Sequence, residues 1–398
     1  MTYDVSKVRA GYPALADGHA YLDGAAGTQL PGSVIEAIAG AYRAGLGNVG
    51  GVFPASGRAD RIVADCRAAV ADLVGGRPEG VVLGPNMTTL TYRLANTLAA
   101  GWAPGDEVVL SQLDHDANVR PWGQAAARAG AVVRWARIDP VTGELPVEQY
   151  ADLVGERTRL VAVTAASNVL GTRPQVAAIT ARAAAVGALS YVDGVHATPH
   201  APVDVAELGA DFYATSAYKW AGPHVGAVVA DPELLAGLHP DKLASSAEEV
   251  PGRFEWGTTA FADLAGVTAA VEHLAALTEA TGSRRERVLA SMAEVERYEQ
   301  GLFAMLLEAV SGMDRVRVYG SAASRTATLY FTVAGRTPGQ VARELARRRI
   351  NVWHGHNYAW ETTGALGIRE AGSAVRAGLV HYNDRSEVDR LIEALGEL

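Results

Sequence analysis

The sequence predicts an α/β fold: a three-layer large domain built on a mostly parallel sheet, followed by a smaller α+β C-terminal domain. Three observations carry this. Between residues 80 and 230, short and nearly continuous apolar runs alternate with alanine-rich helical segments, the pattern of parallel strands covered on both faces. After Gly257 that alternation gives way to a long helical stretch and then to mixed strands and helices. The chain has 398 residues, beyond the roughly 250–300 at which a single hydrophobic core stops growing.

Taken in order, the strand-like runs are 80–84, 107–111, 131–136, 159–165, 188–193, 211–215 and 225–230. Each is four to eight residues long and rich in β-branched side chains. Helical spacing is read over 58–74, 118–129 and 175–186. Beyond Gly257 the helical pattern covers 263–310 with a break near Gly282, and strands are expected at 315–319 and 327–333. A helix at 339–348, a strand near Asn351, a strand at 378–382 and a helix at 386–395 close the chain. The expected divisions are an N-terminal segment, 1–20, packing with the small domain, a large domain over 21–262 and the small domain over 263–398.

Composition narrows the function. Hydrophobic residues make up 49% and charged residues 20%, which is globular. The net charge of −9 offers no basic face for nucleic acid or anionic lipid. No apolar run approaches the roughly 20 residues that span a bilayer, and residues 1–10 lack the apolar core of a signal peptide. A cytoplasmic protein with neither nucleic-acid nor membrane partners is therefore expected. The single cysteine, Cys66, excludes an intrachain disulfide and any cysteine-based cluster. Only three of the 35 basic residues are lysines, Lys7, Lys219 and Lys242, so few side chains can act as amine nucleophiles.

In parallel sheets ligands bind beyond the carboxyl ends of the strands, and polar residues gather there. Asn86-Met-Thr-Thr89 follows a strand and opens a helix. Its N–H groups and hydroxyls suit a phosphate, although an ordinary helix cap explains the same residues. His115 and Ser167-Asn168 stand at two further strand ends, where structural roles are equally open. Asp193 closes a buried strand and precedes Gly194. Such a carboxylate can keep a pyridine nitrogen protonated, as pyridoxal 5′-phosphate (PLP) enzymes require, and a structural cap is the alternative. Lys219, within Ser216-Ala-Tyr-Lys219-Trp-Ala-Gly222, lies just past a strand in apolar company. Desolvation there would expose a neutral amine; a solvated loop lysine is the plainer reading.

These residues resemble the class V aminotransferase group of fold-type I PLP transferases, most closely its cysteine desulfurase-like branch. Tyr21-Leu-Asp-Gly-Ala-Ala26, Ser111-Gln-Leu-Asp-His-Asp-Ala-Asn118, Ser167-Asn-Val-Leu-Gly171, Val192-Asp-Gly, Ser216-Ala-Tyr-Lys219 with Gly222-Pro223, and Val375-Arg376-Ala with Tyr382-Asn383 carry the similarity nearly end to end. The resemblance implies PLP held as a Schiff base on Lys219, with His115 stacked on its ring and Asp193 paired with the ring nitrogen. Asn168 and His196 would lie near the O3′ side. Ser216, Thr88 and the Met87 backbone would hold the phosphate, with Thr258 or Thr259 supplied by a neighbouring subunit. Arg376 would take the substrate α-carboxylate, for which a guanidinium fork is suited, with Ala26 and Asn168 beside it. A homodimer with shared active sites follows.

Two departures stand out. Where desulfurases carry a nucleophilic cysteine in a loop, this chain reads Gly355-His-Asn-Tyr358-Ala359, and a tyrosine cannot accept sulfane sulfur. The Gly47-Asn-Val-Gly-Gly-Val52 segment also lacks the His and Arg that desulfurases tend to have there. The reading is a desulfurase scaffold put to another use. The expected reaction is β-elimination that cleaves an S-substituted cysteine without a persulfide, with Tyr358 or His356 protonating the leaving group. Transamination, epimerisation and decarboxylative oxidation use the same constellation. A non-catalytic PLP-binding protein, or a desulfurase borrowing a thiol, completes the alternatives. No metal site is expected, since His354 and His356 alone make a poor one.

Overall fold

The computed structural model describes residues 3–398. Its strands are β1 (Ala20–Tyr21), β2 (Val81–Gly84), β3 (Glu107–Ser111), β4 (Val132–Ala136), β5 (Thr158–Thr164), β6 (Leu189–Asp193), β7 (Phe212–Ser216), β8 (Gly226–Ala230), β9 (Val316–Val318), β10 (Thr328–Val333), β11 (Ile350–Asn351), β12 (Trp353–Gly355) and β13 (Ala374–Gly378). Seven of them form one sheet in the order β2-β8-β7-β6-β5-β3-β4. Strands β3 to β7 run parallel to their neighbours within that set, while β8 is antiparallel to both β7 and β2.

Alternation along these strands explains the three layers. Val109, Val161, Val163, Val192 and Tyr213 belong to one buried cluster, with residues from the helices Pro54–Val74, Val176–Ala185 and Phe261–Ala275. Val108, Leu110, Leu160, Ala162, Tyr191 and Phe212 belong to another, with the helices Met87–Ala99 and Arg120–Ala129. Because successive side chains point to opposite faces, a strand that is apolar throughout must be covered twice. Trp122 is fully buried in the second cluster and still donates from Nε1 to Asn118 Oδ1 at 3.0 Å, so its polar edge costs nothing.

A third cluster surrounds the four-stranded sheet β12-β13-β10-β9 and the helices Arg284–Ser311, Pro338–Arg347 and Arg385–Gly396. The N-terminal segment joins this region. Strand β1 pairs in parallel with β11, and Arg9 bridges Asp384 at 3.1 Å and Glu387 at 3.0 Å. The helix Phe261–Ala275, by contrast, packs its Leu264, Val267 and Val271 into the first cluster. The break expected near Gly282 is present: Gly282 has φ +110°, and Ser283 begins the next helix with a capping box closed by Glu286.

One strand is displaced from its expected place. The run 378–382 is buried, yet the strand is Ala374–Gly378. Gly378 N–H donates to Leu22 O, and the chain then turns, with Val380 N–H donating to Asn383 Oδ1 at 2.8 Å. Burial there comes from the N-terminal segment and not from a sheet ladder, so apolarity alone mislocated the strand. No helix among the described residues is long and apolar enough to cross a membrane.

Candidate active site

The parallel strands end on one side of the sheet, and a cavity lies beyond the last residues of β5 and β6, Thr164 and Asp193. It is lined by Ala25, Met87, Thr88, His115, Thr164, Ala166, Asn168, Asp193, His196 and Lys219. Lys219 closes a single turn after β7. Its Nζ donates to Ala25 O at 2.7 Å and Ala26 O at 3.0 Å and lies 5.0 Å from the Tyr218 ring centroid. No carboxylate bonds to it directly. Burial, then the charge of Arg376, lower its pKa to about 7, with Asp193 opposing; near neutrality much of it is a free amine.

Asp193 ends β6 and is 3% exposed. Its Oδ1 accepts from Val195 N–H at 2.9 Å. Burial raises its pKa to about 6, with the Val195 bond and Lys219 acting the other way. His115 accepts from Ala117 N–H at Nδ1, 3.0 Å away, so in the neutral ring the proton sits on Nε2. Burial, helped by Lys219 and Arg376, lowers its pKa to about 3. The ring is neutral at ordinary pH and can stack on a flat ligand. His196 is also kept neutral, its pKa held well below the usual value chiefly by burial. Its Nε2 meets the hydroxyls of Thr328 at 2.9 Å and Thr326 at 3.2 Å.

On the opposite side, Asn86 caps the helix Met87–Ala99 by accepting from Thr89 N–H at 2.9 Å. Ser216 Oγ accepts from Met87 N–H at 3.0 Å, which ties the helix N-terminus to the end of β7. Gly226 allows this approach, since a Cβ there would lie 2.3 Å from the Asn86 carbonyl carbon. Thr88 is exposed at the rim. Thr258 and Thr259 do not line this cavity; Thr258 is exposed and Thr259 half-buried.

Asn168 and Arg376 close the remaining wall. Arg376 is 4% exposed and donates from Nη1 to Asn168 O at 2.8 Å. The Asn168 side chain donates to Asn357 O at 2.8 Å, and its Oδ1 is buried without a partner. The turn 355–359, which leads from β12 into the helix Trp360–Ala365, covers the mouth. Tyr358 is 67% exposed, with its ring 5.4 Å from that of His115, and His356 lies 6.1 Å from Tyr358. Next to the first cavity, and sharing His115, Asn168 and Lys219 with it, lies an outer cavity of about 930 Å³ lined also by Ala26, Tyr92, Arg120, Tyr218, His224 and Trp353. Sequence reasoning missed these last five. Only Tyr218 carried a signal, as the neighbour of Lys219. Cys66, the only cysteine, is buried in the helix Pro54–Val74 and lines none of this space.

A neutralisable amine held by carbonyls, a buried carboxylate, neutral imidazoles and an unpartnered amide oxygen form a donor set that fits PLP. Beyond the ends of a largely parallel sheet, they define a PLP-dependent enzyme. The comparisons with known proteins agree. The family model described as Aminotransferase class-V matches residues 20–391. An uncharacterized protein of Mycobacterium tuberculosis is 38% identical, with all of both chains covered. A probable cysteine desulfurase of Pseudomonas aeruginosa is 34% identical over 97% of this chain and 96% of that one. The cysteine desulfurase CsdA of Escherichia coli superposes with a TM-score of 0.87 at 27% identity, covering 100% of this chain and 98% of that one. This chain belongs to the class V aminotransferase family.

Proposed function

We propose that this enzyme cleaves the C–S bond of an S-substituted cysteine by β-elimination, releasing a thiol, pyruvate and ammonia. The observation that carries the reading is Tyr358 over the cavity mouth, where its ring stands 5.4 Å from His115, while the only thiol of the chain is buried elsewhere. Burial pushes the Cys66 thiol up to about 12, so neither place nor ionisation suits it to accept sulfur.

The cofactor would be held by Lys219, by Asp193 at its ring nitrogen, by His115 across its face, by Asn168 and His196 at its O3′ side, and by Ser216, Thr88 and the Met87 backbone at its phosphate. When bound, PLP supplies an electron sink for charge that develops at the substrate α-carbon. Arg376 binds the substrate carboxylate beside Ala26 and Asn168, the guanidinium giving both charge and planar geometry. The lowered pKa of Lys219 leaves it able to take the α-proton near neutral pH. Tyr358, or His356 beside it, returns a proton to the departing sulfur. Hydrolysis then consumes one water and yields pyruvate and ammonium. We take the working unit to be a homodimer in the cytoplasm, with Thr258 or Thr259 completing the partner's phosphate site, and the residues 21–262 to be its cofactor-binding domain.

The test is product analysis with S-alkyl cysteines. Thiol, pyruvate and ammonium in equal amounts support elimination. A keto acid formed only with an amino acceptor, an inverted stereocentre, evolved carbon dioxide, or sulfide from free cysteine would each replace it with another reaction.

A further inference from the structure

Behind His196 lies a pair of ionisable residues that the reaction does not use. His200, 3% exposed, ends the turn that follows β6; Glu299, 1% exposed, is on the helix Arg284–Ser311. His200 Nδ1 and Glu299 Oε2 are 2.6 Å apart, the short separation of a charge-assisted bond. The other two polar atoms of the pair, His200 Nε2 and Glu299 Oε1, are buried and have no partner. A buried ion pair is a poor source of stability, and poorer when its remaining atoms go unbonded. A role in packing alone does not explain it.

What the pair does touch is His196. The two imidazoles meet edge to face, with centroids 4.8 Å apart at 69°. The His196 ring is thereby gripped from two sides, by His200 and by the Thr326 and Thr328 hydroxyls at Nε2, while it lines the same cavity as Lys219 and Asp193. We propose that the hydrogen-bonded His200–Glu299 pair is a positioning unit that fixes the orientation of His196, and through it the protonation of the bound cofactor, without touching the cofactor itself.

The other charged groups around the pair are accounted for. Glu296, one turn earlier on the helix, is paired with Arg173. Tyr3 from the N-terminal segment and His381 from the segment after β13 also face it, and burial raises the Tyr3 pKa and lowers that of His381, leaving both uncharged. On the cavity side His196 faces Lys219, Arg376 and His115. The His200 ring is thus the group that meets His196 from behind. Without Glu299 that ring loses the bond that orients it, His196 is held by the threonine hydroxyls alone, and the protonation of the bound cofactor shifts with it.

The experiment uses the PLP-loaded enzyme without substrate, so it rests on the cofactor site and not on the C–S reaction, and either can fail alone. The visible absorbance of the cofactor is titrated with pH in the parent, in Glu299→Gln and in His200→Gln, with cofactor content and thermal melting measured beside it. Both variants should keep the cofactor and move the titration midpoint by about half a pH unit or more. A lower melting temperature with an unmoved midpoint would mean a structural role only and would overturn the proposal. If neither variant folds, ¹⁵N-histidine NMR of the parent decides: a single fixed His196 tautomer through neutral pH supports it, and an exchanging mixture of tautomers overturns it.

Discussion

Asn168 donates from its side-chain amide to the main-chain carbonyl of Asn357 at 2.8 Å, tying the wall of the site to the turn that covers it. That turn is strained at Tyr358, where φ of +59° costs roughly 1–2 kcal/mol, while Asn357 at +49° is of a type that tolerates the left-handed region. Asp116 N–H to Tyr358 O at 2.7 Å and Tyr330 OH to Gly355 O at 2.7 Å also restrain it. Asn168→Ala removes one of three ties, and hydrogen exchange over 355–359 should quicken about fivefold, the loss of roughly 1 kcal/mol. Unchanged exchange would show that the other two bonds suffice.

Lys219 should react as a low-pKa amine. In cofactor-free protein the rate of covalent PLP uptake, followed by absorbance, should rise with pH to a midpoint near the lowered value of about 7 and then level off, because only the neutral amine attacks. Lys219→Ala should take up no PLP that borohydride can fix. A midpoint close to that of a free lysine would contradict the burial of the amine.

Tyr358→Phe keeps the ring over His115 and removes only the hydroxyl. If that hydroxyl protonates the leaving group, turnover should fall about a hundredfold while the cofactor spectrum stays as it was. Equal turnover in the two proteins would take Tyr358 out of the chemistry and leave His356 as the acid.

Cys66→Ala should leave turnover within about twofold of the parent and cost stability by about 1 kcal/mol, the order expected for a small buried group. The thiol is 0% exposed, with its pKa raised to about 12 by burial, so iodoacetamide should label native protein far more slowly than unfolded protein. Loss of activity in the alanine variant would reopen sulfur transfer through this residue.

Asp114 is buried and accepts from Ser111 Oγ and from Asn118 Nδ2, the latter at 2.7 Å. Burial raises its pKa to about 8, against the pull of those bonds. A carboxyl whose folded pKa is raised stabilises fully below its unfolded pKa, near 4, and loses that contribution as pH rises through the folded value. The melting temperature of Asp114→Asn relative to the parent should therefore move in the variant's favour between about pH 4 and about pH 8. A difference that stays flat over that range would place the Asp114 pKa near the ordinary carboxylate value.

The strands of the large sheet were legible because most are short runs apolar on both faces, a property of consecutive residues that needs no knowledge of the rest of the chain; the edge strand β4, with Arg134 and an exposed Val132, is the exception. For the same reason Asp193, Ser216 and Lys219 could be picked out: each stands where a strand stops, and strands β3 to β7 stop on one side of the sheet. Covering surfaces are different, because they depend on what packs where. The run 378–382 is as apolar as a strand, but residues from the other end of the chain bury it, and the ladder forms four residues earlier. The Asn168–Asn357 bond joins residues 189 apart in sequence, and His200 meets Glu299 across 99. Thr258 and Thr259, named for the phosphate, lie outside the cavity of the single chain. Element types and the chemistry at the strand ends can be read from the chain because spacing and side-chain type act locally. Which turn closes the site and which buried pair stands behind His196 cannot, because those meetings are set by the packing of one layer on another.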